Sequence, residues 1–259
     1  MHQPRKRFGQ HFLRDQKIIQ RIISAISPEP TQRLIEIGPG LGALTIPVLR
    51  KTGSLEAIEV DRDIVPLLEK ACKELGDLLI YQKDVLHFDL SVVVQNQKPL
   101  RVFGSLPYNI STPLIFHLLK YTSSISDMHF MLQKEVADRL TSIPGKKSYS
   151  RLTVMAQYHY HIKQLFEVPS GAFHPQPKVE SRMIRLLPYG KIPHPAKNYA
   201  RFETIVKQAF GQRRKTLRNS LSGLKQGIPE EVWKKLGIDP QKRAENLTVE
   251  EFVNLSNCS

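Results

Sequence analysis

Leu34-Ile-Glu-Ile-Gly-Pro-Gly-Leu-Gly-Ala-Leu-Thr45 is a short apolar strand that runs into a glycine-rich turn and then into a helical stretch. That order is the first β-loop-α unit of a nucleotide-binding sheet, in which residues without Cβ take positive φ and let a ligand lie against the backbone. Gly38, Gly40 and Ala43 satisfy the G-x-G-x-x-A spacing of a dinucleotide fold, so an NAD-dependent dehydrogenase is one reading. Pro39 opposes it, because a pyrophosphate cradle needs backbone N–H groups and proline has none. A phosphate-free ligand is favoured. Glu36, inside the strand, either accepts hydrogen bonds from the loop it supports or reaches water, since an unpaired buried carboxylate is costly.

The 259 residues suffice for a full α/β core and a second small domain of ~60 residues. No apolar run approaches the ~20 residues of a membrane span, and no signal-peptide h-region follows the basic start. An intracellular, cytoplasmic protein with no membrane partner is expected. Cys72 and Cys258 are the only cysteines and form no CxxC or Cys/His ligand spacing, which supports neither a disulfide framework nor a metal site. Thirty-eight Lys and Arg against twenty-four Asp and Glu give a formal charge of +14, which points to a polyanion, nucleic acid first. An anionic membrane surface would suit the charge, but no segment sets a Trp/Phe/Leu face against a Lys/Arg face.

Residues 1–14 hold Arg5, Lys6, Arg7 and Arg14 and no acid, and Phe8, Phe12 and Leu13 make them a docked arm rather than a free basic tail. Ile18, Ile19, Ile22, Ile23 and Ile26 recur at helical spacing between Asp15 and Ser27. After the loop, Ala43–Lys51 reads as a helix, and Ser54–Ile58 as a second strand that ends at Glu59. That acid, nineteen residues after Gly40, stands where SAM and NAD sites alike hold the ribose hydroxyls. Asp61 and Asp63 are the alternatives as helix N-terminal carboxylates. Leu78–Lys83 delivers Asp84 to a third strand tip, and Leu100–Gly104 delivers Ser105-Leu-Pro-Tyr108 to a fourth. In an open sheet these tips converge on one crevice. Further on, Asp127–Gln133 reads as a strand, Lys134–Leu140 and Arg151–Tyr158 as helices, and Ile162–Glu167 with Lys178–Leu187 as a hairpin around a proline-rich loop that carries Phe173. Pro188–Pro195 reads as a linker, so domains of 1–190 and 191–259 are expected, the second with helices over Asn198–Phe210, Arg213–Leu224, Pro229–Leu236 and Val249–Leu255. Thr204–Pro229 contains six cations and no acid, a composition for nucleic-acid contact through Arg213, Arg214, Lys215 and Arg218.

The glycine loop, Glu59, Asp84, the Ser-Leu-Pro-Tyr turn, Arg5-Lys-Arg-Phe-Gly-Gln-His-Phe-Leu13 and Gln212-Arg-Arg-Lys-Thr-Leu-Arg-Asn219 together resemble the KsgA-type ribosomal RNA adenine dimethyltransferases. The resemblance covers nearly the whole chain. It implies an α/β, Rossmann-like SAM-dependent methyltransferase sheet with helices on both faces, plus a small all-helical C-terminal domain. It further implies a monomer that dimethylates N6 of two adjacent adenosines near the 3′ end of small-subunit rRNA. SAM would be held by His11, Leu13, Glu36, Gly38, Gly40, Gly42, Glu59, Asp84 and Ser105, and RNA by Arg5, Lys6 and Arg7 as well as the C-terminal cations. Catalysis would rest on Ser105, Leu106, Pro107, Tyr108 and Phe173. Phe173 would be a second aromatic at the target base, with a phenylalanine tucked into the core as the alternative. The family usually has Asn at the positions of His11 and Ser105.

The chemistry asks for little acid–base help. The adenine amine is a poor nucleophile, but the sulfonium methyl is already activated, so the enzyme must align the two and accept the N–H bonds. Other readings are an RNA-binding assembly factor without catalysis, since Ser105 stands at the reaction centre, and a large-subunit rRNA methyltransferase of the macrolide-resistance type, which Gln212–Asn219 opposes.

Overall fold

The computed structural model describes residues 9–94, 99–224 and 227–258. Arg5, Lys6, Arg7 and Phe8 of the arm and Lys225 of the basic run lie outside the described residues. The chain divides into two compact units, residues 1–137 with 162–188 and residues 138–161 with 189–259. The chain crosses between them three times: the last crossing, after Pro188, lies in the expected linker, and the first two enclose residues 138–161, which group with the C-terminal helices although a single boundary at 190 was expected.

The first unit runs β1 (Phe12–Leu13), α1 (Gln16–Ile26), β2 (Arg33–Ile37), α2 (Thr45–Thr52), β3 (Ser54–Glu59), α3 (Val65–Cys72), β4 (Asp77–Gln82), α4 (Ser91–Val94), β5 (Leu100–Ser105), α5 (Ser111–Leu118), β6 (Ile125–Gln133) and the start of α6 (Lys134–Leu140). It resumes in β7 (Tyr160–Val168), β8 (Phe173–His174) and β9 (Ser181–Pro188). Seven strands form one sheet in the order β4-β3-β2-β5-β6-β9-β7. The pairs from β4 to β6 are parallel, and β9 joins β6 antiparallel. The order reverses between β2 and β5, so the crevice beyond their carboxyl ends is where an open sheet binds its ligand.

Local chemistry sets these elements. The Asp15 carboxylate caps α1 by accepting from the Lys17 and Ile18 amides at 2.8 and 3.1 Å, a contribution of ~1 kcal/mol. Ile19, Ile22, Ile23 and Ile26 then bury one face of the helix. β2 lies between two strands with Leu34–Ile37 buried, as the near-continuous apolar run of a parallel strand requires. At the open end of the sheet, Gly104 in β5 meets β2 so closely that a Cβ there would collide with the Ile37 carbonyl. Toward the other end, Arg101 of β5 grips the buried Asp127 of β6 through two bonds of 2.8 and 3.0 Å, and Arg185 of β9 adds a third at 3.1 Å. The loop between β7 and β9 is more ordered than its prolines suggested: β8 pairs antiparallel with β1, Leu13 opposite Phe173 and Phe12 opposite His174.

The second unit contains α7 (Arg151–His159), α8 (Tyr199–Gly211), α9 (Leu217–Leu221), α10 (Glu230–Leu236) and α11 (Val249–Cys258). Tyr149, Phe202, Trp233, Phe252 and Leu255 are buried in it. Asn198 caps α8 by accepting from the Arg201 amide at 3.0 Å. The helix expected over Arg213–Leu224 is confined to α9. Gln212 already leaves helical geometry, and the Leu217 and Arg218 amides donate to the Lys242 and Pro240 carbonyls at 2.8 and 3.1 Å instead of to a preceding turn.

Candidate active site

A cavity of about 810 Å3 opens at the carboxyl ends of β2 to β5, a size for a small ligand. It is lined by every catalytic and cofactor residue named from the sequence: His11, Leu13, Glu36, Gly38, Gly40, Gly42, Glu59, Asp84, Ser105, Leu106, Pro107, Tyr108 and Phe173.

The glycine loop spends its amides internally. Gly38 donates to the Ile58 carbonyl at 3.0 Å, Gly40 to the Glu59 carboxylate at 3.2 Å and Gly42 to the Pro39 carbonyl at 3.0 Å. All three glycines have positive φ, between 54 and 87°. These amides do not form a pyrophosphate cradle, which agrees with the argument from Pro39 and removes the structural basis of the dinucleotide reading. Side chains could not replace these glycines cheaply either: Phe12 packs over Gly40, 3.3 Å from where a Cβ would sit, and a Cβ on Gly42 would stand 2.9 Å from Leu68.

Of the two openings left for Glu36, the structure takes neither as stated. Glu36 is 1% exposed, so it does not reach water, and its Oε2 accepts not from the loop backbone but from the Thr45 hydroxyl at 2.7 Å, at the start of α2. Burial, only partly offset by that hydrogen bond, pushes its pKa up to about 8, so it carries a proton at neutral pH. Glu59 is the loop's true carboxylate partner. Its Oε1 accepts from the Asp61 amide at 2.9 Å while Oε2 holds Gly40. Burial raises its pKa as well, against the backbone hydrogen bonds from Asp61 and Gly40. A carboxylate has about four lone-pair sites, so ribose hydroxyls can still be accepted. Asp84 is exposed on the rim, accepting from the Leu86 amide at 2.9 Å.

At β5 the chain leaves the sheet through Ser105. Leu106 donates its amide to the Met131 carbonyl at 3.1 Å, and its own carbonyl takes no hydrogen bond among the described residues. The Pro107 carbonyl accepts from the Ile110 amide and the Ser111 hydroxyl, at 3.2 and 2.9 Å, which fixes the turn. Tyr108 shares a hydrogen bond of 2.9 Å with Ser181 of β9. Phe173 borders the cavity with 6% of its surface exposed and belongs to the apolar core.

Sequence reasoning missed three contributors. Gln10 donates to the fully buried Asp61 at 2.8 Å and so ties the arm to the tip of β3; Gln10 stood inside the quoted arm segment, but only the fold supplies its partner. Gly104 and Ser181 carry no local signal, since each matters through a neighbouring strand.

The C-terminal cations differ among themselves. Arg213 donates to the Lys147 and Tyr149 carbonyls at 2.8 and 3.2 Å and pairs with Glu245 at 2.9 Å, while Arg218 pairs with Glu230 at 2.9 Å. Both are therefore engaged within their own unit, which the sequence did not foresee. Arg214 and Lys215 are exposed and make no ion pair among the described residues. Among the described residues, no group of His, Cys, Asp or Glu side chains is arranged to hold a metal ion, and no helix is long and apolar enough to cross a membrane.

The ribosomal RNA adenine dimethylase family model matches residues 1–259. The ribosomal RNA small subunit methyltransferase A of Chromohalobacter salexigens is 52% identical, over 99% of this chain and 91% of the relative; that of Vibrio vulnificus is 51% identical, over 99% and 94%. Among solved structures, a dimethyladenosine transferase from Plasmodium falciparum superposes with a TM-score of 0.78 at 25% identity, over 95% of this chain and 96% of that one. The 23S rRNA methyltransferase ErmE shares the fold, with a TM-score of 0.73 at 24% identity over 95% and 98%. The fold is that of the Rossmann-like methyltransferases, and the chain belongs to the ribosomal RNA adenine dimethylase family.

Proposed function

We propose that this protein is an S-adenosylmethionine-dependent methyltransferase that dimethylates N6 of two adjacent adenosines near the 3′ end of small-subunit rRNA, as a step in small-subunit biogenesis. The observation that carries the reading is the convergence of Gly38, Gly40, Glu59, Asp84 and Ser105–Tyr108 on one cavity, in a chain half identical to small-subunit methyltransferases over nearly its full length. That identity is to relatives named for the small subunit, which favours the small over the large subunit.

The residues present fit S-adenosylmethionine. The cavity has the volume, the glycine loop lets a ligand approach the backbone without asking it for phosphates, and Glu59 and Asp84 supply acceptors at adjacent strand tips. His11 and Leu13 of the arm and the buried Glu36 complete its walls. When bound, the cofactor supplies a methyl group already activated on its sulfonium. The protein's task is then to present the amine. The Leu106 carbonyl and the Ser105 hydroxyl accept the N–H bonds of the adenine amine, so that its lone pair localises on nitrogen, while Pro107 stiffens the turn that holds them. Tyr108 offers its face to the extruded base, a contact of ~1–3 kcal/mol. No side chain need act as a general base with a tuned pKa. RNA is held electrostatically, with Arg214 and Lys215, of the four C-terminal cations named from the sequence, the two left for phosphate, joined by Arg5, Lys6 and Arg7.

Labelled S-adenosylmethionine on unmethylated small subunits, followed by mapping of the modified bases, tests this. Label confined to two adjacent adenosines, with dimethyladenosine as the product, supports it. Binding to the subunit without incorporation would leave an assembly factor in its place.

A further inference from the structure

Both oxygens of Glu59 are held by backbone amides, Asp61 on Oε1 at 2.9 Å and Gly40 on Oε2 at 3.2 Å. The N-terminal arm touches each of those donors. Gln10 Nε2 donates to Asp61 Oδ2 at 2.8 Å, and Phe12, two residues on, packs its ring over Gly40, 3.3 Å from where a Cβ would sit. Asp61 is fully buried, and its other oxygen accepts from the Asp63 amide at 3.2 Å. A carboxylate sealed from water is costly unless hydrogen bonds replace its hydration. Gln10 supplies one of them from 51 positions earlier in the chain.

The same bond decides where the arm lies. Gln10, His11, Phe12 and Leu13 all line the cavity, and pairing with β8 fixes the arm at Phe12 and Leu13. The bond to Asp61 fixes it a second time, over the tip of β3. A tether with no further role could use any exposed acid. This one uses the residue whose amide orients Glu59, where the ribose hydroxyls are to be accepted.

We propose that Gln10 is a positioning residue for the cofactor: it holds Asp61 and seats Phe12 on Gly40, and so fixes Glu59 from both sides with its remaining lone pairs open to the ribose. Gln10 touches no reacting atom. Docking of the arm and affinity for the cofactor therefore rise and fall together. The inference rests on the methyltransferase reading, and half of its test needs no cofactor.

Wild type, Gln10→Met, Gln10→Glu, Asp61→Asn and the double variant Gln10→Glu with Asp61→Asn are compared by calorimetry with S-adenosylmethionine and by kinetics on small subunits. Gln10→Met keeps the length of the side chain and removes the donor. It should weaken cofactor affinity about tenfold, the lower end of what a hydrogen bond to a charged group is worth, and raise the cofactor KM to match, with kcat at saturating cofactor unmoved. Gln10→Glu sets two carboxylates against each other and should cost at least as much. The double variant exchanges amide and carboxylate across the same bond, so it should bind the cofactor more tightly than Gln10→Glu alone. If Asp61→Asn does not fold, the two single variants at Gln10 decide. A lower unfolding midpoint in Gln10→Met with cofactor affinity and KM unchanged would make the bond merely structural and overturn the proposal, as would a double variant that folds and binds no better than Gln10→Glu. The other half of the test reads amide hydrogen exchange by NMR in the cofactor-free protein. The Gly40 and Asp61 amides should exchange faster in Gln10→Met than in the wild type, and equal exchange would overturn the bracing of Glu59. A wild type that bound no S-adenosylmethionine would sink the methyltransferase reading instead, and exchange at these two amides would then decide the role of Gln10 alone.

Discussion

At the scale of single residues, the carboxylates around the loop divide by environment rather than by type. Glu36 lies inside β2 and Glu59 at the end of β3, and one is sealed with a lone hydroxyl donor while the other meets two backbone amides. Glu59→Ala should weaken S-adenosylmethionine binding by ~1.5–3 kcal/mol, the scale of a missing charge-assisted hydrogen bond, and calorimetry with an intact fold checks it. Glu36 makes a prediction about stability. Its folded pKa of about 8 lies above the ordinary 4.5, so the folded state binds the proton more tightly, and stability is lost as pH rises from 4.5 through 8. Glu36→Gln keeps an acceptor for Thr45 and cannot ionise, so urea unfolding across that range should show the variant gaining on the wild type as pH rises. The buried His129 and the half-buried His159, both pushed down to about 4 by desolvation, run the other way: the unfolded state takes up their protons first, and stability falls as pH drops below about 6.5. Comparing the variant with the wild type cancels that background. Ser105 is the third case. Its hydroxyl is one bond shorter than an asparagine carbonyl and both donates and accepts, so it meets the amine less well. One preorganised polar contact is typically worth ~10² in rate, so Ser105→Asn should raise kcat while cofactor and RNA affinities stay level. A wild type as fast as the variant would show the serine to be a sufficient acceptor.

At the scale of elements, the sequence was legible where one strand or helix decides its own character. Strands β2, β3 and β5 and helix α1 follow from apolar periodicity and caps, and strand tips carrying Gly38, Glu59, Asp84 and Ser105 follow from strand order. What stayed hidden depends on pairing across long stretches of chain. The two-residue strands β1 and β8 are too short for any pattern and exist because Phe12 and Leu13 meet His174 and Phe173 from far along the chain. The same holds for Gln10 and Asp61, and for residues 138–161, whose helix reads alike in either unit. Gly104 gives this a measurable form. It reads as an ordinary strand residue, but β5 meets β2 too closely there for any side chain. Gly104→Ala forces backbone apart in a packed sheet, so it should lower stability by about 1–3 kcal/mol in urea unfolding, the cost of overpacking, with the slope unchanged. An undiminished midpoint would mean that the sheet yields freely at this point.

At the scale of the whole molecule, the excess of cations is the plainest message of the composition, and by itself it points to a polyanion such as RNA. Composition could not say which cations are free to meet phosphate, because that depends on acids far away in sequence: Glu245 for Arg213 and Glu230 for Arg218. The basic run therefore separates into two kinds of residue that one experiment distinguishes. Reversing the charge of Arg214 and Lys215, both exposed, should weaken binding to RNA of any sequence and flatten the plot of log affinity against log salt by about 0.7–0.9 for each phosphate no longer neutralised. Cofactor affinity should not move. Arg213→Ala should act differently. It removes the guanidinium that holds the Lys147 and Tyr149 carbonyls and leaves Glu245 without its partner, so its main effect should be a lower midpoint in thermal unfolding. If instead Arg213→Ala left the midpoint alone and flattened the salt dependence as much as the double reversal, Arg213 would be contacting phosphate in the complex and its internal bonds would be those of the RNA-free protein alone.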